Sequence, residues 1–220
     1  KGSSSRMMFA SFPKAQYQAY RSEIDDAITR VLDSGTYIMG SEMKSFEEEF
    51  STYIGLSHAI GVGSGTDALT LALMALDIGP GDEVISVSHT AVATTAAIRR
   101  TGAKPIFIDI ETDYFTLDPG CLKSSITANT KAIVVVHLYG QAADLANICT
   151  IAADHGIKVV EDCAQAVGAS YGVAKLGSIG DIGCFSFFPT KNLGAIGDGG
   201  AVLTNDDAIA QRLNSLRQYG

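Results

Sequence analysis

From residue 58 onward the apolar positions of this chain fall in short unbroken runs rather than in alternation. Seven such runs, at 58–62, 83–88, 105–109, 131–136, 157–161, 182–187 and 200–204, are rich in Val, Ile and Phe and are separated by stretches long enough for a helix. Consecutive apolar residues mark strands buried on both faces. With helix-length connections between them they predict an α/β fold, a mostly parallel sheet of about seven strands flanked by helices. Ligands of such sheets bind beyond the carboxyl ends of the strands, so the residues just after each run carry the functional information. Upstream, Tyr17 to Leu32 repeats its apolar residues at helical spacing until Gly35 breaks the pattern. A second helix starts at Ser41, and its stripe of Met43, Phe46, Phe50 and Tyr53 ends at Gly55. Both helices read as outer packing.

The chain has 220 residues, 46% of them apolar, with no internal repeat and no Pro- or Gly/Ser-rich linker, which predicts one main domain. Residues 1–11 read as a tag or disordered lead-in, because Lys1 to Arg6 has no apolar stretch behind it that would make a signal peptide. Residues 12–56 form the helical segment, and 57–220 the domain that carries the chemistry. The formal net charge of −8, without a Lys/Arg cluster, argues against nucleic acid or an anionic membrane surface as partner. Any phosphate must then be held locally. No apolar stretch reaches the roughly 18 residues that suggest a membrane span. Cysteines at 121, 149, 163 and 184 make no CxxC pair and no metal-ligand spacing with histidine, so reduced thiols in a cytoplasm are expected, with no metal. The closing Leu216-Arg217-Gln218-Tyr219-Gly220 stops straight after a helical stretch, as if more sequence followed.

Three places combine polar residues with the ends of runs. Gly61-Val62-Gly63-Ser64-Gly65-Thr66-Asp67 leads a strand through a glycine turn into a helix. Free N–H groups of a first helical turn, close backbone approach and the Ser64 and Thr66 hydroxyls suit a phosphate, although a capped glycine turn explains the same residues. The missing lysine and different spacing set it apart from a Walker A loop and from GxGxxG. In Val159-Val160-Glu161-Asp162-Cys163-Ala164-Gln165 an apolar strand ends in two acids, of which only one can face a ligand, because neighbours on a strand point to opposite sides. That acid could hold a cationic ring nitrogen or a metal, or simply cap the following turn. In Cys184-Phe185-Ser186-Phe187-Phe188-Pro189-Thr190-Lys191 a strand of aromatics delivers a lysine into a glycine-rich loop. Desolvation there makes lysine a carbonyl nucleophile, the alternative being a lysine that extends to solvent. A phosphate cradle, an acid for a pyridinium nitrogen and a lysine for an aldehyde, in this order along one sheet edge, are the contacts required by pyridoxal 5'-phosphate.

The runs SGTDAL, VVEDCAQA, FSFFPTKNLGA followed by GDGGAV, and the closing LRQYG resemble the DegT/DnrJ/EryC1/StrS family of sugar aminotransferases, over nearly all of the chain from Phe12. The resemblance implies a fold type I pyridoxal-phosphate transferase large domain, with the family's smaller C-terminal domain absent. It implies Lys191 as the Schiff-base lysine and proton carrier, Asp162 at the ring nitrogen, and Gln165 near the ring and its phenolic oxygen. Ser64, Gly65 and Thr66 would hold the phosphate from one side and Ser186 from another. His89 would stack on the ring, since Ala91 stands where many relatives have an aromatic residue. The reaction implied is ping-pong transfer of an amino group from L-glutamate to a nucleotide-linked keto sugar. Val136-His137-Leu138-Tyr139-Gly140-Gln141 resembles members acting on dTDP-linked 3-keto-6-deoxyhexoses, and Gly35, Tyr37 and Gly40 resemble the family's substrate-side loop. A homodimer with shared active sites is implied too. Two other readings stay open on the sequence: a non-catalytic sensor or assembly module that keeps the cofactor site, and another fold type I enzyme such as an amino-acid lyase.

Overall fold

The computed structural model describes residues 11–219, so the lead-in expected at the N-terminus falls, up to residue 10, outside the described residues, as does Gly220 of the closing motif. In chain order the strands are β1 (His58–Val62), β2 (Glu83–Val87), β3 (Lys104–Ile108), β4 (Thr130–Val136), β5 (Lys158–Asp162), β6 (Ser170–Tyr171), β7 (Ala174–Lys175), β8 (Ile182–Ser186) and β9 (Gly200–Thr204). Each of the seven apolar runs becomes a strand within one residue of its expected ends, while the two-residue β6 and β7 form a separate hairpin.

The chain divides into two compact units between Lys44 and Ser45. The first contains α1 (Pro13–Ala19), α2 (Arg21–Ser34) and the start of α3 (Ser41–Ile54). The single helix expected over Tyr17 to Leu32 is two, parted at Tyr20, whose φ of −116° leaves the helical region. Gly35 ends α2 in the left-handed conformation at φ 66°, as a helix C-terminus favours. Arg30 grips Glu42 with two hydrogen bonds of 2.7 and 3.1 Å.

The second unit contains the sheet, ordered β1-β9-β8-β5-β4-β2-β3. Neighbours from β8 through β5, β4 and β2 to β3 are parallel, and β9 runs antiparallel to both β1 and β8. The carboxyl ends of β1, β2, β3, β4, β5 and β8 therefore share one edge. Helices α4 (Gly65–Ala75), α5 (Val92–Arg100) and α8 (Asp207–Leu216) cover one face, where Leu69, Leu73, Ile98 and Leu213 pack on Val134, Val160 and Val202. The second half of α3, α6 (Pro119–Ser125) and α7 (Leu145–His155) cover the other, with Phe50, Leu122, Leu145 and Ile148 on Val135, Val159 and Phe185. Phe50 meets Phe185 and Phe187 edge-on at 5.0 and 5.5 Å between centroids, a geometry aromatic rings prefer. Side-chain caps fix where the helices start: Ser64 for α4, Asp118 for α6, Asp144 for α7 and Asp206 for α8. No helix among the described residues is long and apolar enough to cross a membrane.

Candidate active site

The turn from β1 into α4 is built by hydrogen bonds within its own sequence. Ser64 accepts from the Asp67 N–H at 3.1 Å and donates its hydroxyl to Asp67 Oδ2 at 2.8 Å, and Asp67 in turn meets Arg100 at 3.3 Å. This leaves the N–H groups of Gly65 and Thr66 at a helix N-terminus, where no intrahelical carbonyl is available to them. Gly65 is there because nothing larger fits: a Cβ at this position would stand 2.5 Å from the Cβ of Ser186. The two segments expected to hold a phosphate, 64–66 and Ser186, are thereby pressed together although 121 positions part Gly65 from Ser186.

The two acids of β5 face opposite sides, as strand alternation requires. Glu161 points into the layer of α6 and α7. Its Oε2 takes His137 Nε2 at 3.0 Å and the Gly177 N–H at 2.8 Å, and its Oε1 takes the N–H groups of Ile179 at 2.8 Å and Gly180 at 2.7 Å. Two bonds per oxygen use the full capacity of a carboxylate. The Ala143 N–H donates to His137 Nδ1 at 3.2 Å, so the ring proton must sit on Nε2, facing Glu161. Burial disfavours the Glu161 anion, but the His137 bond and the Gly180 and Gly177 N–H groups outweigh it and hold the carboxyl below its usual range. Cys163 Sγ lies near this pair, but Glu161 has no acceptor position left for a cation.

Asp162 points the other way and lines a pocket together with Thr90, Ala91, His137, Leu138, Gln165 and Lys191. Thr94 of α5 donates to Asp162 Oδ2 at 2.8 Å, and the Ala164 N–H donates to Oδ1 at 3.1 Å. Here burial wins. It pushes the Asp162 carboxyl above the usual carboxylate range, against the Thr94 and Ala164 hydrogen bonds and the nearby His137 and Lys191.

Lys191 is half-buried on the loop between β8 and β9. The turn that carries it is tight: the Lys191 N–H bonds to the Phe188 carbonyl and the Ala195 N–H to the Phe187 carbonyl, each at 2.8 Å. Asn192 Nδ2 ties the loop to the Val167 carbonyl at 2.7 Å. Gln165 lies beside it and accepts the Tyr139 N–H at 2.7 Å through Oε1. The structure thus brings Asp162, Gln165 and Lys191 into one pocket, and Ser64, Gly65, Thr66 and Ser186 into one cradle. Ser186 ends β8 two positions beyond Cys184, the register partner of Asp162, so cradle and pocket are neighbours.

His89 stands apart from the pocket lining. It is exposed just beyond β2, with Tyr139 edge-on at 6.0 Å and Phe115 tilted at 6.5 Å. Tyr139 and Phe115 both adopt the left-handed backbone region, at φ 59° and 61°. The sequence reading missed Thr94, which touches Asp162 directly. The two hydroxyl residues at the start of the helical stretch after β2, Thr90 just before it and Thr94 in its first turn, were the available signal.

The model of the DegT/DnrJ/EryC1/StrS aminotransferase family matches residues 18–220. The chain belongs to this family. Among its relatives, the dTDP-3-amino-3,4,6-trideoxy-alpha-D-glucose transaminase of Streptomyces venezuelae is 50% identical over 207 residues, which are 94% of this chain and 55% of the relative. The crystal structure of S. venezuelae DesV in complex with a ketimine intermediate superposes with a TM-score of 0.93 at 50% identity, over 95% of this chain and 56% of that one. NtdA from Bacillus subtilis with bound cofactor PMP superposes with a TM-score of 0.85 at 37% identity, over 89% of this chain and 44% of that one. The fold is that of these family members, and this chain spans about half of their length.

Proposed function

We propose that this chain is the cofactor-binding part of a pyridoxal-phosphate-dependent aminotransferase that moves an amino group from L-glutamate to a nucleotide-linked keto sugar. The observation that carries the reading is the pocket in which Asp162 and Lys191 stand together, beside the cradle of Ser64, Gly65, Thr66 and Ser186. These residues fit the cofactor chemically: an anion-binding helix start with close backbone approach at one end, a buried acid and an amine at the other. Bound pyridoxal 5'-phosphate supplies an aldehyde and a cationic ring that draws electrons from the reacting carbon.

The chain's own residues do the rest. Ser64, Gly65, Thr66 and Ser186 bind the phosphate, and Asp162 holds the proton of the ring nitrogen. Gln165 orients the phenolic oxygen and His89 covers the ring. With the cofactor bound, the Lys191 amine would hold its aldehyde end and would carry the proton at the reacting carbon, and the tight turn around it fixes its reach. Glutamate leaves as 2-oxoglutarate before the keto sugar enters, a ping-pong order. The acceptor is a dTDP-linked 3-keto-6-deoxyhexose, a reading supported by the dTDP link and the 3-amino group in the S. venezuelae relative's name. Family resemblance supports a homodimer with shared active sites, and four unpaired cysteines suit the reducing cytoplasm.

The test is to mix the chain with pyridoxal phosphate and L-glutamate and measure 2-oxoglutarate. The reading expects about one equivalent without sugar, and continued release with a new amino sugar once a dTDP-linked 3-keto-6-deoxyhexose is added. Cofactor binding with no 2-oxoglutarate under either condition contradicts it.

A further inference from the structure

The hydroxyl of Thr94 makes two contacts, with Asp162 Oδ2 at 2.8 Å and with Thr90 Oγ1 at 2.9 Å. A threonine hydroxyl has one hydrogen and two lone pairs. While Asp162 is ionised it can only accept, so the Thr94 hydrogen must point at Asp162. Thr90 must then be the donor to Thr94. The three residues form a directed chain, Thr90 to Thr94 to Asp162, that runs from the pocket lining into the buried first turn of α5. Thr94 is buried at 1% exposure, so water cannot take over its bond. The Ala164 N–H takes one position on the other oxygen, Oδ1.

We infer that Thr94, supported by Thr90, is a positioning residue that holds the Asp162 carboxylate ionised and oriented toward the pocket. The inference rests on the cofactor reading for its purpose but not for its geometry. The charged and titratable groups facing Asp162 are few. Lys191 on the loop after β8 favours the anion, while the His137 ring beyond β4 turns to Glu161. Glu161 faces away. The Cys163 and Cys184 thiols, whose pKa burial raises well above the usual value, stay neutral and add no charge. With so little opposing charge, the loss of a hydrogen bond to a buried anion is felt in full. Protonation of Asp162 would give it a hydrogen to donate and would reverse the chain's polarity, so the relay and the acid's charge state are coupled.

The experiment compares Thr94→Val, which keeps the shape and loses the hydroxyl, with Thr94→Ser, which keeps the hydroxyl, and with Thr90→Val. Pyridoxal phosphate is titrated into each across pH. Its own ionisations are common to all variants, so differences report the protein. T94V is expected to bind on the order of tenfold more weakly, with the acid limb of its affinity moved up by about one pH unit. T94S should track wild type, and T90V should show a smaller shift of the same sign. A second readout needs no cofactor: the carbon-13 carboxyl signal of Asp162, assigned with Asp162→Asn, should titrate about one unit higher in T94V than in wild type. An unchanged Asp162 titration in T94V overturns the inference even if no variant binds cofactor. So does a uniform loss of affinity with no shift of the acid limb, or a T94S that behaves like T94V. If wild type fails to bind pyridoxal phosphate while the carboxyl shift appears, the cofactor reading falls and the positioning role stands.

Discussion

Two acids end β5, one on each face of the sheet, and their surroundings differ in kind. Behind the sheet, in the layer of α6 and α7, Glu161 receives four hydrogen bonds and ties together His137, its own strand and the turn of 177–180. On the α4 and α5 side, Asp162 receives two and lines a pocket shared with Lys191. Burial alone does not distinguish a structural acid from a chemical one, since both are nearly inaccessible, at 0% and 5% exposure. What distinguishes them is how many of a carboxylate's four acceptor positions the protein fills. Glu161 is complete without a ligand, whereas Asp162 has acceptor positions to spare.

The largest effect expected from this contrast is on stability. Glu161→Ala leaves His137 and the three N–H groups of the 177–180 turn without their acceptor, and each such polar group left unpaired out of water costs about 1–3 kcal/mol. For a domain of this size that lowers the thermal midpoint by on the order of 10 °C. The pH dependence carries a definite sign. Because the folded Glu161 carboxyl lies below its ordinary value of 4.5, its contribution is fully present above pH 4.5 and is lost as pH falls through the folded value. Asp162 does the reverse: with its carboxyl above the ordinary range it costs stability at neutral pH, and acid relieves that cost. Thermal scans of wild type and E161A should therefore differ most above pH 4.5, with the gap narrowing as pH falls below it. Equal midpoints at neutral pH would erase the distinction between the two acids.

A smaller effect is expected at the cradle. Gly65→Ala drives a methyl group to within 2.5 Å of Ser186, an overpacking that costs about 1–3 kcal/mol. It should open the cradle while leaving the Asp162 side intact. Titration calorimetry with pyridoxal phosphate and with unphosphorylated pyridoxal should show the first weakening and the second not. Equal weakening of both would mean that the turn supports the whole pocket rather than the phosphate.

How far the sequence revealed this arrangement can be judged element by element. The seven long strands were legible because both of their faces are buried, which writes unbroken apolar runs into the chain. The β6–β7 hairpin was not, since strands of two residues leave no pattern. Nor was the antiparallel course of β9: the connection from β8 is the Lys191 loop, with no helix to carry the chain back across the sheet. Alternation correctly put the two β5 acids on opposite faces, but which one faced the pocket came from the family resemblance, because the deciding partners, His137, Thr94 and the 177–180 turn, come from distant segments. The approach of Gly65 to Ser186, a long-range packing contact with no local signature, was likewise expected only from the family resemblance. Tyr20 split the expected N-terminal helix because the apolar spacing continues through a backbone that does not.

The central claim is that Asp162 and Lys191 form one cofactor pocket. Its most direct test is the absorbance spectrum of the chain with added pyridoxal phosphate, before and after borohydride reduction, with Lys191→Ala as control. The account predicts a long-wavelength band in the wild type that reduction fixes covalently to the peptide containing Lys191, and no covalent label in the mutant. A colourless wild type, or a label that persists at another lysine in K191A, would contradict it.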